Sequence, residues 1–442
     1  MILFTERVGS IKKVSAQGGP CASVGWTPKD GHSPQFLPDG RHFLYTYQGA
    51  GEAASNGIYL ATLDEPDGRR VLPDTSNVRY SPATQGGKYG HLLFVRDGRL
   101  VAQAFDVDRL RFAGELIRIP TGRLAGYQFA GFSASENGVL AYVSGGSGQS
   151  RLTWFDRSGR VVTRLGPTTQ QNWISLSPGG KRVSVGRDNG IWLYETESGI
   201  ETRLTFEGTG FPGGGVWSHD DSRVVFRARN SLRGIEAGGT GRETQFLTTE
   251  NFAVPSDWSR DGRYLVYTAS DAKSNADIWY LNEPLKGNGK PVVYLQTPFT
   301  ESKGQLSPDG KWIAYVSDET GQFEVYVRSF PDGRDKRKIS AAGGREPRWR
   351  ADGRELFFAR GGIRRTLFAA PARLTPSPAF GAPTALFEYD LTASFLPAIN
   401  AFSYSPAADG RTFLVNARGE TEERHGLEVL VNWQRLLAAK EP

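Results

Sequence analysis

The chain offers few groups that could do chemistry, and their spacing decides what each can do. Its five histidines, His32, His42, His91, His219 and His425, include no pair at the H-x-H or H-x-x-x-H spacing that aims two imidazoles at one metal ion. Cys21 is the only cysteine, so neither an internal disulfide nor a cysteine-based metal site is open to it. The nearest run to a nucleophile elbow, Gly145-Gly146-Ser147-Gly148-Gln149, lacks the final glycine and falls where a loop between strands is expected. Kinase signatures of the H-R-D and D-F-G type are absent. Asp106-Val107-Asp108 is expected to put two carboxylates on one strand face, but without the glycine and later glutamate of a calcium loop. Phe211-Pro212-Gly213-Gly214-Gly215 does not lead from a strand into a helix, so it makes no phosphate loop. The expectation is a chain with no catalytic residues, no metal and no cofactor.

One polar signal does recur. Asp-Gly-(Lys/Arg) begins at Asp39, Asp67, Asp97, Asp261, Asp309, Asp332, Asp352 and Asp409, too often for a single active site. Most copies sit in a longer pattern: FLPDGRHFLY from Phe36, WSRDGRYLVY from Trp258, LSPDGKWIAY from Leu306 and WRADGRELFF from Trp349. LSPGGKRVSV from Leu176 and WSHDDSRVVF from Trp217 are variants, and FSASENGVLAY and YSPAADGRTFLV, from Phe132 and Tyr404, are looser ones. The anchors Leu176, Trp217, Trp258, Leu306 and Trp349 stand 41, 41, 48 and 43 residues apart. Short strands repeating at that period are the mark of propeller blades.

Each unit follows one grammar. An apolar residue ends strand A, an Asp-Gly corner follows, and strand B alternates, as in Trp312-Ile313-Ala314-Tyr315-Val316-Ser317. After a polar loop comes an aromatic-rich strand C, Phe323 to Arg328, and a second turn at Pro331-Asp332-Gly333-Arg334 leads to a short strand D. Asp accepts nearby backbone N–H groups and Gly takes positive φ, which is what a tight corner needs. Trp217, Trp258 and Trp349 are expected in the core, because one blade cannot cover both of its faces and must stack on the next.

Composition agrees. With 54 glycines and 25 prolines few segments can be helical, while 12% aromatic residues support real burial. The fold class expected is all-β, a β-propeller of four-stranded antiparallel blades. The formal charge of +6 is mild, and much of it lies between Arg328 and Arg350, where only Phe330 and Trp349 interleave as aromatics. That run is expected to be a solvated hairpin rather than a nucleic-acid stripe. Nowhere do about 18 consecutive apolar residues occur, and MILFTERVGSIKKV lacks the layout of a signal peptide.

Counting blades leaves two arrangements open. The chain opens on Ile2-Leu3-Phe4-Thr5 and Ile11 to Ser15 with no preceding A turn, and closes on Phe402 to Asn416 and then Leu427 to Trp433. Residues 1–442 are expected to form a propeller of about eight or nine blades, the first incomplete. The other arrangement breaks near residues 119–131, leaving a six- or seven-bladed ring after it.

The ordered set of repeats resembles the WD40-like repeat of TolB-type propellers, and more finely the propeller region that follows the kinase domain in bacterial serine/threonine protein kinases. HSPQFLPDGRHFLY at His32, LLFVRDGRLVAQAFD at Leu92, LTWFDRSGR at Leu152, REPRWRADGRELFF at Arg345 and EVLVNWQRLL at Glu428 carry it, together with the long stretch from Gln296 to Pro331. The resemblance implies a non-catalytic propeller outside the cytoplasmic membrane that binds a protein or peptide, or senses a ligand. A monomer is expected, and the basic run with its few aromatics points to no nucleic-acid partner. This chain carries neither kinase domain nor membrane helix, and it begins mid-blade. The alternative class is the propeller of a hydrolase or serine peptidase without its catalytic domain. The binding residues are not assigned by sequence; the B–C loops Gln48 to Asn56, Ser270 to Asp277 and Asp318 to Phe323 are the material expected at a channel mouth.

Overall fold

Strands of two to thirteen residues, reversing at tight turns, make up most of the computed structural model. It describes every residue except 6–10, 25–30, 48–54, 65–67, 84–86, 125–130, 144–147, 188–189, 206–214, 229–230, 240–242, 250–251, 271–274, 288, 376, 393–399, 420–426 and 439–442. The protein is an all-β propeller of antiparallel, mostly four-stranded blades.

The Asp-Gly corner forms as its chemistry requires. Gly40, Gly262, Gly310, Gly353 and Gly410 all sit at positive φ, and Asp221 takes the same conformation where the repeat has no glycine. The aspartate just before each glycine accepts a backbone N–H two residues on, as Asp309 does from Lys311 and Asp409 from Arg411. Where a serine precedes, its hydroxyl closes the corner: Ser307 donates to Asp309 and accepts the Trp312 N–H at 3.0 Å. Ser259 and Ser218 repeat the arrangement. In the last repeat Pro406, not Tyr404, holds the anchor register, pairing with Phe413 as Leu306 pairs with Ile313.

The contacts divide the chain into two units, Gly148–Glu420 and Met1–Ser147 with Thr421–Pro442. The boundary therefore falls after residue 147, beyond the 119–131 region; there the strand Arg111–Arg123 runs on and Leu124 donates to the Gly98 carbonyl.

In Gly148–Glu420 six sheets follow one another. Blade I begins with Ile174–Leu176, blade II with Val216–Trp217 and blade III with Phe252–Trp258. Blade IV begins with Glu301–Leu306, blade V with Arg345–Trp349 and blade VI with Tyr404–Pro406. Each of these A strands lies beside the next, and that of blade VI lies beside that of blade I, so the ring is closed. Blade VI is built from both ends of the unit: Gln149–Asp156 pairs with Thr412–Arg418, Thr153 opposite Val415. Val224, Phe226, Phe357, Phe413 and Val415 are fully buried in one cluster that draws on four blades.

The other unit holds a three-stranded sheet (Ile2–Thr5, Ile11–Val14, Ala22–Ser23) and two four-stranded ones starting at Gly31–Phe36 and Arg79–Ser81. Its fourth sheet joins distant parts of the chain, Phe132–Ala134, Val139–Val143 and Leu427–Val431, with Val139 opposite Val431. Trp433 and Leu437 then bury themselves against Leu93, Leu100 and Phe132. Among the described residues no helix is long and apolar enough to cross a membrane.

Candidate functional site

Strand A is the innermost of each blade, so its polar side chains have only other blades or the enclosed space to meet. In blades III, IV and V it carries a bulge just ahead of the anchor, where pairing slips between Pro255 and Asp257, Ser302 and Gln305, and Arg345 and Arg348. Lys303 and Glu346 occupy left-handed backbone at these bulges, φ 58° and 56°. A bulge re-aims side chains, and here it places a lysine and a glutamate inside the ring, 6% and 1% exposed.

These two are the centre of a buried polar network. The Glu346 carboxylate pairs with Arg365 and accepts from the Ser403 N–H (2.8 Å) and hydroxyl (2.7 Å). Tyr389 and Ser403 share a hydroxyl contact of 2.9 Å, and the Tyr404 hydroxyl donates to the Glu346 carbonyl. Lys303 donates its ammonium to the Ala401 carbonyl and lies over the Phe402 ring. Asn400 pins the approach to blade VI across the ring, accepting from Thr268 and the Lys303 N–H and donating to the Val254 carbonyl.

Burial governs the charges. It pulls the Lys303 ammonium down to about 7 and pushes the Asp257 carboxyl up to about 6. For Glu346 burial acts upward too, but Arg365 and Lys303 outweigh it and hold the carboxyl below its ordinary value. Breaking such a pair by removing one partner costs about 3–5 kcal/mol.

The residue immediately before the anchor has a different task. Asp257 accepts the N–H of Leu306, the next blade's anchor, at 2.6 Å; Ser405 accepts that of Leu176; in the other unit Gln35 accepts that of Tyr80. Indoles reinforce this bracing, Trp217 donating to the Ser175 carbonyl and Trp349 to that of Gln305. Trp217 and Trp258 are buried and Trp349 is partly buried against Phe380.

Beside the network lies a small recess with room for about one water molecule. Trp173 and Ile174 of blade I, Val216 of blade II, Ser256 of blade III, Arg348 of blade V and Phe402 ahead of blade VI form its walls. Several of these stand at or before the start of strand A, the end opposite the Asp-Gly corners.

Several sequence expectations need revision. The basic run is not one solvated hairpin: Lys336, Arg337 and Lys338 are exposed, whereas Glu346 is buried and Arg348 lines the recess. Asp106 ends a strand and Asp108 lies in the following turn, so the two do not share a strand face; Asp106 accepts the Arg109 N–H instead. Of the three B–C loops, residues 48–54 and 271–274 lie outside the described residues, as do 144–147 and 211–214. Ser270 is paired with Ala276 and Ala269 with Asp277, so the loop expected from Ser270 to Asp277 is shorter than that. His42 is bonded to Asp39 at a corner and His91 packs edge-on against Trp433. Among the described residues no group of three or more His, Cys, Asp or Glu could hold a metal ion.

Asp257, Lys303, Glu346, Arg348 and Arg365 were not singled out by sequence. For four of them the available signal was a charged residue one or three places before a repeat anchor, in a strand whose position demands burial.

No family model matches the chain, and no match is found among curated proteins. Among solved structures, a putative TolB from Agrobacterium tumefaciens is similar over 62% of this chain and 99% of its own, at 17% identity and a TM-score of 0.49. TolB from Acinetobacter baumannii is similar over 80% of each chain, at 14% identity and 0.38. Dipeptidyl peptidase 4 from Porphyromonas gingivalis is similar over 76% of this chain and 54% of its own, at 14% identity and 0.35. At such identities the likeness concerns fold alone.

Proposed function

We propose that this chain is a non-catalytic β-propeller that binds a protein or peptide partner, or senses a ligand, outside the cytoplasm, in the manner implied by the resemblance to kinase-associated propellers. In this reading Gly148–Glu420 is a six-bladed domain of its own, inserted into a second blade-built unit. The observation that supports it most is how the ring spends its interior groups. Glu346, Arg365, Ser403 and Asn400 bond to one another and to neighbouring blades, as structural braces do. Away from this network, Thr320, Gly321 and Gln322 of a B–C loop are exposed.

The test uses the full chain as bait in an extract of its source cell, beside the double variant Thr320→Ala/Gln322→Ala. Retrieval of one specific partner, weakened in the variant while thermal unfolding is unchanged, is expected. Repeated failure to retrieve any partner would count against the reading. Covalent labelling of the chain by a serine-hydrolase probe would favour the peptidase alternative instead.

A further inference from the structure

The sheet made of Phe132–Ala134, Val139–Val143 and Leu427–Val431 has three strands, where those starting at Gly31–Phe36 and Arg79–Ser81 have four. Its outermost strand, Leu427–Val431, pairs with Val139–Val143 along one edge, and among the described residues no strand pairs with the other. The chain then turns at Asn432 (φ 55°) and sends Trp433 and Leu437 back into the core, so these residues do not fill the fourth place. Leu427, Val429 and Val431 are 69%, 52% and 68% exposed, the first and last more than any other large apolar side chain among the described residues. They lie opposite Val143, Ala141 and Val139, so this face of the two strands is apolar throughout. Leu140, Tyr142 and Leu430 belong to the other face, which packs toward Leu93 and Leu100.

An unpaired strand edge is a template for another strand, and charges or prolines are what blunt it. In other blades the outermost strand carries such residues, as with Arg69 and Arg70, Pro167, Pro291, and Lys336, Arg337 and Lys338. On Leu427–Val431 the one charge, Glu428, lies on the opposite face and accepts the Tyr142 hydroxyl at 2.7 Å. The strand is also complementary to itself. Paired antiparallel with a copy of itself and centred on Val429, it sets Leu427 opposite Val431, Val429 opposite Val429, and Glu428 opposite Leu430. Apolar pairs then run along one face, no like charges meet, and the twofold arrangement satisfies both copies at once. Five residues from each copy make far less than the roughly 800 Å² per partner of a standard interface, so the association is weak and concentration-dependent.

We infer that two copies of this chain associate by antiparallel pairing of Leu427–Val431 with its counterpart, in place of the monomer expected from the sequence. The inference goes beyond the proposed partner binding and does not depend on it.

Sedimentation equilibrium of the full chain, from micromolar to millimolar concentration, tests it. The mass is expected to rise from one chain to two and to stop there. Val429→Lys sets two ammonium groups opposite each other and is expected to weaken the dimer roughly tenfold or more, with thermal unfolding unchanged. Leu427→Lys is expected to weaken it as well. Adding Val431→Glu to that variant is expected to restore it, because the new ammonium of each copy then meets the new carboxylate of the other. If the variants fail to fold, hydrogen exchange of the wild type decides, with amides of Leu427–Val431 expected to slow as concentration rises. The mass of one chain throughout, growth beyond two chains, an unweakened dimer in folded Val429→Lys, or no rescue by the paired substitution would overturn the inference. A monomer that instead takes up an extended apolar peptide at this strand would give the edge to a partner and likewise overturn it.

Discussion

Lys303 shows how far a single side chain's behaviour departs from its residue type. A lysine at Asp-Gly-Lys, such as Lys311, stays at the surface, whereas the bulge in blade IV carries Lys303 into the ring. Its ammonium is held near 7 by burial, against an ordinary value of 10.5. Between those values the unfolded chain binds a proton that the folded chain lacks, so stability rises with pH across that window. Urea midpoints for the wild type are therefore expected to climb from pH 7 to pH 9, and Lys303→Met is expected to flatten the climb. A slope unchanged in the variant would show that Lys303 is charged throughout. None of this was legible in Glu301-Ser302-Lys303-Gly304, because the burial of Lys303 depends on Asn400, Ala401 and Phe402, about a hundred residues away.

Glycine separates two demands at the level of the strand and its turn. Gly310 sits at φ +69° with nothing within 4 Å of an added Cβ, so Gly310→Ala meets only backbone strain, about 1–2 kcal/mol. Gly304 is two residues before the anchor, at ordinary φ, but an added Cβ would lie 2.9 Å from Ile313, 3.0 Å from Val266 and 3.4 Å from Ile278. Gly304→Ala overpacks the seam between blades III and IV and should cost about 1–3 kcal/mol. Chemical unfolding of both variants checks the pair, and a neutral Gly304→Ala would mean that the seam can relax. The turn glycine was predictable from its neighbours in sequence. The seam glycine was not, since Val266 and Ile278 belong to another blade.

Ring closure belongs to the whole molecule. Thr153 faces Val415 across the join of blade VI, and Tyr404 faces Val415 from its other side. Val415→Pro removes a ladder N–H from a strand paired on both edges, a position where proline is not accommodated, and is expected to destabilise the unit. Its expected signature is early loss of cooperative melting in Gly148–Glu420 with protease cleavage near the join; an unaltered melt would show that blade VI does not hold the ring. By itself the sequence determined the blade grammar, the corners and the all-β class. Those rest on residues within a few places of each other, where Asp, Gly and alternating apolar side chains act locally. The tertiary structure alone decided which distant strands pair to join blade VI, which polar residues of strand A turn inward, and that Arg348 borders a recess. Those outcomes depend on pairs such as Gln171 with Asn416, 245 residues apart, which no local pattern encodes.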